Sequence, residues 1–518
     1  MTEKNQRSTL VLDGKSLTLS QVAKHLADPA GRISLSKPAW RRVEQSSDFF
    51  DRVQRGKERC YGLNTNFGDL IGCNIPPEQQ DVMQRHLVLS HSVGMRETLP
   101  IQTSRSIFVM RLNSIARGVS GLKPATVVYL LKLYNNQAYP EIFSTGSLGA
   151  SGDLAPLSHL AAFAIGEGSG YWRGRRMKAK LIIRKLGLSP LTLGRKEGLS
   201  LVNGTAAMTA IGIEAITRMS LYLDTMLIGM CLMMKMARIP CSFLSAEAFR
   251  LKPHSGAIRI DAVLRSLIGE KKNKTEVCEQ PPYSFRCAPF ILSPLFESIE
   301  MVKRVLSIEA NSANDNPVFL ESSNTVYHGG HFHGHPVSVA LDQLRIAAVH
   351  LSGVMDRQLD MILDKKRNPH LPPFLSIDVD SGFCGLEGAQ YLVTSLHIEN
   401  KILAHPVSLE TLPANGNNQD YVSLGMQSAL ASSRMADNLR IILGVYLMAI
   451  CQANLISKRA VKSLPLSKVL SEILKRYGKI YKDDIMLREK LVLLVDDECF
   501  IRCRSLCDDS FNYRGGVR

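Results

Sequence analysis

Chemistry is most plausibly carried first by Gly146-Ser147-Leu148-Gly149-Ala150-Ser151-Gly152-Asp153-Leu154-Ala155-Pro156, a glycine-dense turn feeding a helix. Asp153 suits an N-cap, and Pro156 is tolerated in a first turn. A phosphate cradle is excluded because no Gly-Lys-Ser/Thr follows. A nucleophile elbow at Ser147 or Ser151 lacks the strand that must precede it. A third chemistry is open to Ala150-Ser151-Gly152. Neither Ala150 nor Gly152 is bulky, so the Gly152 nitrogen can approach the Ala150 carbonyl. Ring closure and water loss from the Ser151 side chain then give a methylidene-imidazolone. Its exocyclic methylene is a strong electrophile, and a helix N-terminus stabilises the negative charge that develops on it. The tripeptide by itself is equally an ordinary glycine turn.

Other segments hold reactive side chains. Tyr61-Gly62-Leu63-Asn64-Thr65-Asn66-Phe67-Gly68 is a Gly/Asn-rich run of the kind that makes a lid, with Tyr61 either a packing residue or an acid–base group. Asn203, before a long apolar stripe, reads as a helix N-cap. Arg286, in Gln280-Pro281-Pro282-Tyr283-Ser284-Phe285-Arg286, can grip a carboxylate as a bidentate fork or form a surface ion pair. His328, His331, His333 and His335 lie within eight residues, a spacing that suggests a metal site. Asn415-Gly416-Asn417-Asn418-Gln419-Asp420 opens a long helix, with Asp420 or a neighbour as its cap.

These groups must be positioned by helices. Helical patterning covers Ser20 to Asp28, Lys37 to Lys57, Gln79 to Val93, Ser104 to Ala116 and Pro124 to Asn136. Longer stretches run from Asn203 to Ala237, Leu292 to Ala310, Pro336 to Leu363 and Asp420 to Leu455. A hairpin is expected at Tyr171 to Lys178. No strand–helix alternation supports a doubly wound sheet, so the fold class is mainly α, a long-helix bundle with a mixed N-terminal domain. The expected division is 1–200, a central bundle at 201–464, and C-terminal helices at 465–518. Leu221 to Ile239 and Leu439 to Ile456 are apolar but interrupted by charged and amide residues, so no membrane span is expected.

The 518 residues carry a net charge of +16, yet the basic residues are scattered, with short runs at Lys271-Lys272-Asn273-Lys274 and Lys365-Lys366-Arg367. Without interleaved aromatics, a solvated surface or a steering field for an anionic substrate outweighs nucleic-acid binding. Eleven cysteines, an odd number, and a polar N-terminus lead to the expectation of reduced thiols in a cytoplasm. Cys499, Cys503 and Cys507 share a helical face and read as packing thiols rather than metal ligands.

From about residue 58 to about 430 the chain resembles the histidine, phenylalanine and tyrosine ammonia-lyase family. The carriers are the Ala150-Ser151-Gly152 segment, the Tyr61 loop, Leu199-Ser200-Leu201-Val202-Asn203-Gly204-Thr205, the Gln280–Arg286 segment, and Asn311-Ser312-Ala313-Asn314-Asp315-Asn316-Pro317 with Phe332 beyond it. The motifs most resemble those of bacterial tyrosine ammonia-lyases. The resemblance implies the aspartase/histidine ammonia-lyase helical fold and a methylidene-imidazolone self-made from Ala150, Ser151 and Gly152, with no external cofactor and no metal. It implies a homotetramer whose sites are shared between subunits. It makes Tyr61 the base that takes the substrate β-proton; since tyrosine ordinarily titrates near 10, neighbouring cations or donors must stabilise its anion. Asn203 then bonds substrate or the imidazolone oxygen, Tyr283 helps move the amine proton, Arg286 binds the carboxylate, Gln280 adds a polar contact, Phe332 packs on the ring, and Asn415 and Gln419 face the substrate. Two positions depart from the family's usual residues: Asn66 replaces a glycine, which stiffens the loop, and His331 replaces an asparagine.

Substrate choice rests on His91 and Gln419. A histidine in the Ser90-His91 pair can bond a phenol or an imidazole, whereas phenylalanine leaves it unpaired at a cost. Histidine-specific members usually carry glutamate where Gln419 stands. The expectation is therefore L-tyrosine to 4-coumarate and ammonia first, and L-histidine to urocanate second. Two further readings stay open: a tyrosine 2,3-aminomutase, which re-adds ammonia at the β-carbon, and a non-enzymatic scaffold that keeps the fold.

Overall fold

The computed structural model describes residues 9–56, 58–269, 280–378, 380, 382–479 and 485–512. The Lys271–Lys274 run and the polar N-terminus lie outside these residues. Backbone contacts divide the chain into two compact units. The first comprises 1–214, 302–342 and 406–431; the second comprises 215–301, 343–405 and 432–518. This differs from the division at 200 and 464 expected from sequence. Four of the five boundaries fall inside the long helices Ala206–Ala237, Ala288–Ala310, His335–Leu363 and Gly425–Ser457; the fifth, at 405/406, falls in a loop. Cuts placed at composition changes miss such boundaries, because a helix keeps its periodicity through them.

The first unit opens with a parallel pair, Thr9–Leu12 against Arg32–Leu35, in register Thr9 with Arg32. The helix between them, Leu19–Ala27, starts in a full capping box: Thr18 accepts from the Gln21 amide and Gln21 reaches back to Thr18. Lys37–Arg55 follows, capped by Ser36. Ala138–Pro140, Ser169–Trp172 and Arg175–Lys178 form a three-stranded antiparallel sheet, the last two being the expected hairpin. A second hairpin pairs Val318–Leu320 with Thr325–Tyr327.

Three helices of this unit matter most: Pro77–His91, Leu154–Ala164 and Glu197–Val202 pack on one another. Side chain and backbone interlock closely between them. A Cβ on Gly198 would fall 2.5 Å from the Gln84 carbonyl oxygen, so only glycine admits this approach. Buried Gln84 bonds across the gap, its Oε1 accepting from the Leu199 amide at 3.0 Å. Phe49, Phe50, Cys60, Leu63 and Phe319 form a separate apolar cluster. Burying each large side chain there contributes on the order of 2 kcal/mol.

The second unit is helical in its described residues, with Ser255–Ile268, Glu387–Leu403, Leu464–Tyr477, Leu487–Leu494 and Asp497–Ser505 beside its shares of the long helices. Cys499, Cys503 and Cys507 are buried there as packing thiols. The Lys365–Arg367 turn is ion-paired, with Arg367 bridging Asp360 and Asp364. Ala206–Ala237 and Gly425–Ser457 are long and apolar enough to cross a membrane, but 78% and 72% of their apolar windows are buried inside the protein. They are core helices by that measure.

Candidate active site

The ends of the three packed helices converge. Ser92 caps Pro77–His91, the Ala150–Gly152 segment precedes Leu154–Ala164, and Asn203 follows Glu197–Val202. Two adjoining cavities open there, of about 860 and 610 Å³, and both are lined by Tyr61, Gly68, Ser151, Asn203 and Gln419. The larger adds Asn66, His86, Leu87, Ser90, His91 and Asn415. The smaller adds Arg59, Ala150, Asn316, His328, Phe332 and Tyr421.

The Ala150–Gly152 turn is fixed by backbone. Gly152 has φ +67°, and a Cβ there would lie 2.2 Å from the Gly204 carbonyl oxygen. The Asp153 amide donates to that same oxygen at 2.7 Å, and the Leu424 amide donates to Leu148 at 3.0 Å. Ser151 accepts at its hydroxyl from Gln419 Nε2 at 3.0 Å. Asp153 does not cap its own helix. Its Oδ2 instead accepts from the Met208 amide at 2.8 Å, in the first turn of Ala206–Ala237. Full burial raises the Asp153 carboxyl to about 7, although the Met208 and Ala207 amides pull it down. Asn203 is likewise no N-cap: it ends Glu197–Val202, and its buried Oδ1 has no protein partner. A buried acceptor left open costs stability unless something fills it. Nor does Asp420 cap the last long helix, which begins only at Gly425.

The Tyr61 segment is held by backbone bonds, among them Asn66 to Cys73 at 3.1 Å and Ile75 to Asn64 at 3.0 Å, and by side chains. Cys60 and Leu63 anchor it in the apolar cluster. Asn64 Oδ1 accepts from the Cys60 amide at 2.8 Å, and Gln84 Nε2 donates to the Gly62 carbonyl at 2.9 Å. Asn66 accepts from the Phe67 amide at 2.8 Å, a local tie that glycine would not make. The Tyr61 hydroxyl accepts from the Gly68 amide at 2.9 Å. Burial nevertheless holds the phenol above its ordinary pKa, outweighing that N–H. The donor expected from sequence is present, but it does not by itself bring the hydroxyl toward neutrality.

His91 Nδ1 lies 2.9 Å from the Leu87 carbonyl. A carbonyl only accepts, so Nδ1 carries the proton and a neutral His91 offers Nε2 as an acceptor. The four histidines near 330 do not form one cluster: His331 packs edge-on against Tyr327, His328 accepts from the Tyr61 amide, and His333, bonded to the Tyr421 carbonyl, lies 6.0 Å from the His335 ring. Among the described residues no three metal-ligating side chains come together.

Tyr61, Ala150, Ser151, His91, Asn203, Phe332, Asn415 and Gln419 thus line the cavities, with Gly152 buried behind them. Gln280, Tyr283 and Arg286 do not line them. They belong to the second unit and form their own group, with Arg286 over the Tyr283 ring at 4.6 Å and donating to Gln280 Oε1 at 2.9 Å. Tyr283 is 66% exposed. Sequence reasoning missed His86 and Arg59. His86 was legible as the residue one helical turn before Ser90; Arg59, an exposed arginine, carried no signal.

The fold and the site together define a carbon–nitrogen lyase on a helical scaffold. Residues 17–478 match the family described as aromatic amino acid lyase. The chain is 33% identical over 498 residues to a histidine ammonia-lyase of Treponema denticola, covering 94% of this chain and 97% of that one. It is 37% identical over 450 residues to a tyrosine 2,3-aminomutase of Myxococcus fulvus, covering 83% and 85%. The crystal structure of histidine ammonia-lyase from Trypanosoma cruzi superposes with a TM-score of 0.90 at 28% identity, covering 98% of this chain and 96% of that chain. The chain belongs to the aromatic amino acid lyase family.

The Ala150–Gly152 turn fits a self-made imidazolone. Gly152 and Gly204 leave room for backbone alone, Ser151 is held by Gln419, and the open Asn203 Oδ1 offers an unused acceptor beside them.

Proposed function

We propose that the chain eliminates ammonia from L-tyrosine to give 4-coumarate, using a methylidene-imidazolone formed from Ala150, Ser151 and Gly152. The observation that carries the substrate is the His91 Nδ1 contact with the Leu87 carbonyl at 2.9 Å, which assigns the proton to Nδ1 and leaves Nε2 as an acceptor, taken together with the neutral Gln419. Nε2 as an acceptor pairs with a phenol O–H, whereas the ring of phenylalanine leaves it empty. Gln419, a neutral amide, provides no carboxylate for an imidazolium.

The chemical difficulty is a weakly acidic β-proton and a poor leaving group. When formed, the imidazolone supplies an electrophilic methylene that activates the amine. Tyr61 takes the β-proton at its phenolate oxygen, steadied by the Gly68 amide. The electrons of the broken C–H bond form the C=C bond, the C–N bond breaks, and ammonia leaves. Because burial raises the Tyr61 pKa, the bound state must add a further donor or cation to make it a base near neutrality. Cavities lined by one chain lack Tyr283 and Arg286, and Tyr283 is exposed, which supports a homotetramer in which other subunits complete the site.

A tyrosine 2,3-aminomutase is the second reading, favoured by the Myxococcus fulvus relative. Purified protein would be incubated separately with tyrosine, histidine and phenylalanine and the products separated. 4-Coumarate from tyrosine supports the first reading, β-tyrosine the second, and urocanate from histidine alone overturns both. The intact mass should be lower than the sequence mass by the two waters that cyclisation removes; an unmodified mass sinks the elimination chemistry altogether.

A further inference from the structure

Among the described residues the histidine-rich segment joins no cluster of three metal-ligating side chains, and His328 makes a contact that the reaction can use. We propose that His328 is a positioning residue for Tyr61, clamping the main chain of that residue from the far side of the smaller cavity. The proposal rests on Tyr61 being the base.

The geometry is specific. The Tyr61 amide donates to His328 Nε2 at 3.3 Å. His328 is itself fixed, because its other side is bonded to the Val326 backbone, within the Thr325–Tyr327 strand. The next residue is tied as well: the Gly329 amide donates to Asn316 Oδ1 at 2.9 Å, and the Asn316 amide donates to Asp315 Oδ1 at 2.7 Å. Asp315 Oδ2 in turn takes the buried Lys196 ammonium at 2.8 Å. A fully buried ion pair of this kind is a rigid anchor, since removing one partner would strand the other. His328 thus links the Tyr61 segment to a fixed frame. Cys60 and Leu63 hold that segment by packing, and Gln84 holds Gly62. The His328 bond reaches Tyr61 itself and so bears on where its phenol points.

Accepting from an amide requires Nε2 to be unprotonated. Burial and the Lys196 charge keep His328 below its ordinary pKa, which favours that form. Titratable and charged groups facing the same cavity are Arg59, Tyr61, His333, Asp420 and Tyr421, with Lys196 behind it. Protonation turns the acceptor into a donor opposite an N–H, so the clamp opens as pH falls through the depressed pKa of His328. Tyr61 as the base also gives kcat an acid limb, so the clamp's share is the part of that limb that depends on the residue at 328.

The test compares wild type, His328→Leu, His328→Gln and Tyr61→Phe. Leucine removes the acceptor, while glutamine restores an oxygen that does not protonate near neutrality. In His328→Leu, kcat for ammonia release should fall about ten- to hundredfold with KM little changed, the size expected of a misplaced catalytic group. His328→Gln should recover most of kcat near pH 8 and shift or simplify the acid limb by the loss of the His328 titration, leaving the limb that belongs to Tyr61. Amide hydrogen exchange over residues 58–68 should quicken in His328→Leu and return toward wild type in His328→Gln. Wild-type kcat, pH profile and exchange in His328→Leu, with Tyr61→Phe inactive, overturn the clamp alone. Activity retained in Tyr61→Phe overturns the base assignment beneath it.

Discussion

The Ala150–Gly152 turn and the Tyr61 segment line the same cavities but are held in different proportions by backbone and side chains. The turn is fixed by backbone bonds, among them Asp153 to Gly204 and Leu424 to Leu148, and by glycines with no space for a Cβ. The Tyr61 segment has backbone bonds too, Asn66 to Cys73 and Ile75 to Asn64, but adds side-chain ties from Asn64, Asn66, Gln84 and His328, and its Gly62 and Gly68 abut side chains rather than main chain. Backbone locks are all-or-none, because a single added carbon collides with main chain. Side-chain ties are separable, and each can be removed by a substitution that leaves the others. On the proposed reading the electrophile needs the first kind, since ring closure demands one close approach, and the base needs the second, since substrate must enter beside it.

The largest effect expected from breaking this contrast is on the backbone-locked side. Gly152→Ala puts a Cβ against Gly204, so both the mass loss of cyclisation and the activity should vanish. Mass spectrometry with a tyrosine assay checks this, and a fully cyclised, active variant would refute the account of the turn. On the opposite side the effects should be graded. His91→Phe removes the acceptor for the phenol and should lower kcat/KM for tyrosine about ten- to hundredfold while narrowing the preference over phenylalanine. An unchanged ratio of the two rates would show that His91 does not read the ring. Gln419→Glu tests the other end of the cavity: it should raise relative turnover of histidine, measured as urocanate formed against 4-coumarate.

The smallest effect concerns pH and the lock beneath the turn. The Asp153 carboxyl sits at about 7 in the folded protein against 3.8 ordinarily. The folded state therefore holds this proton more tightly than the unfolded chain. Its stabilisation is fully present below about 4 and is lost as pH rises toward 7, a contribution of a few kcal/mol at most. Melting temperature followed from pH 4 to 8 should show a slope that Asp153→Asn flattens. A slope identical in the two proteins would mean that other groups set it.

Much of this was legible from residue order. The helix ends were close: Pro124–Asn135 and His335–Leu363 lie within a residue of expectation, because caps and prolines are local signals. The N-caps were not. Asp153 and Asn203 have the right chemistry for capping, yet Asp153 bonds the start of a helix more than fifty residues on, and Asn203 closes one helix with its oxygen free. A cap inferred from sequence assumes that the nearest backbone amide wins; here tertiary approach supplied a better one. The histidines near 330 misled in the same manner, since spacing along a chain without a regular element does not fix where imidazoles point. His331 turned to Tyr327 and His328 to Tyr61.

Sequence by itself determined the helical class and pointed to the Ala150-Ser151-Gly152 turn with Tyr61, His91 and Gln419, which line the same cavities, because composition, periodicity and motif chemistry are written locally. Tertiary structure alone decided that three helix ends converge near Ser151, that His91 Nδ1 meets the Leu87 carbonyl, and that Arg286 turns to Tyr283 and Gln280. The physical reason is that a donor's partner, a tautomer and a cavity wall each depend on groups far away in the chain, which no local pattern encodes.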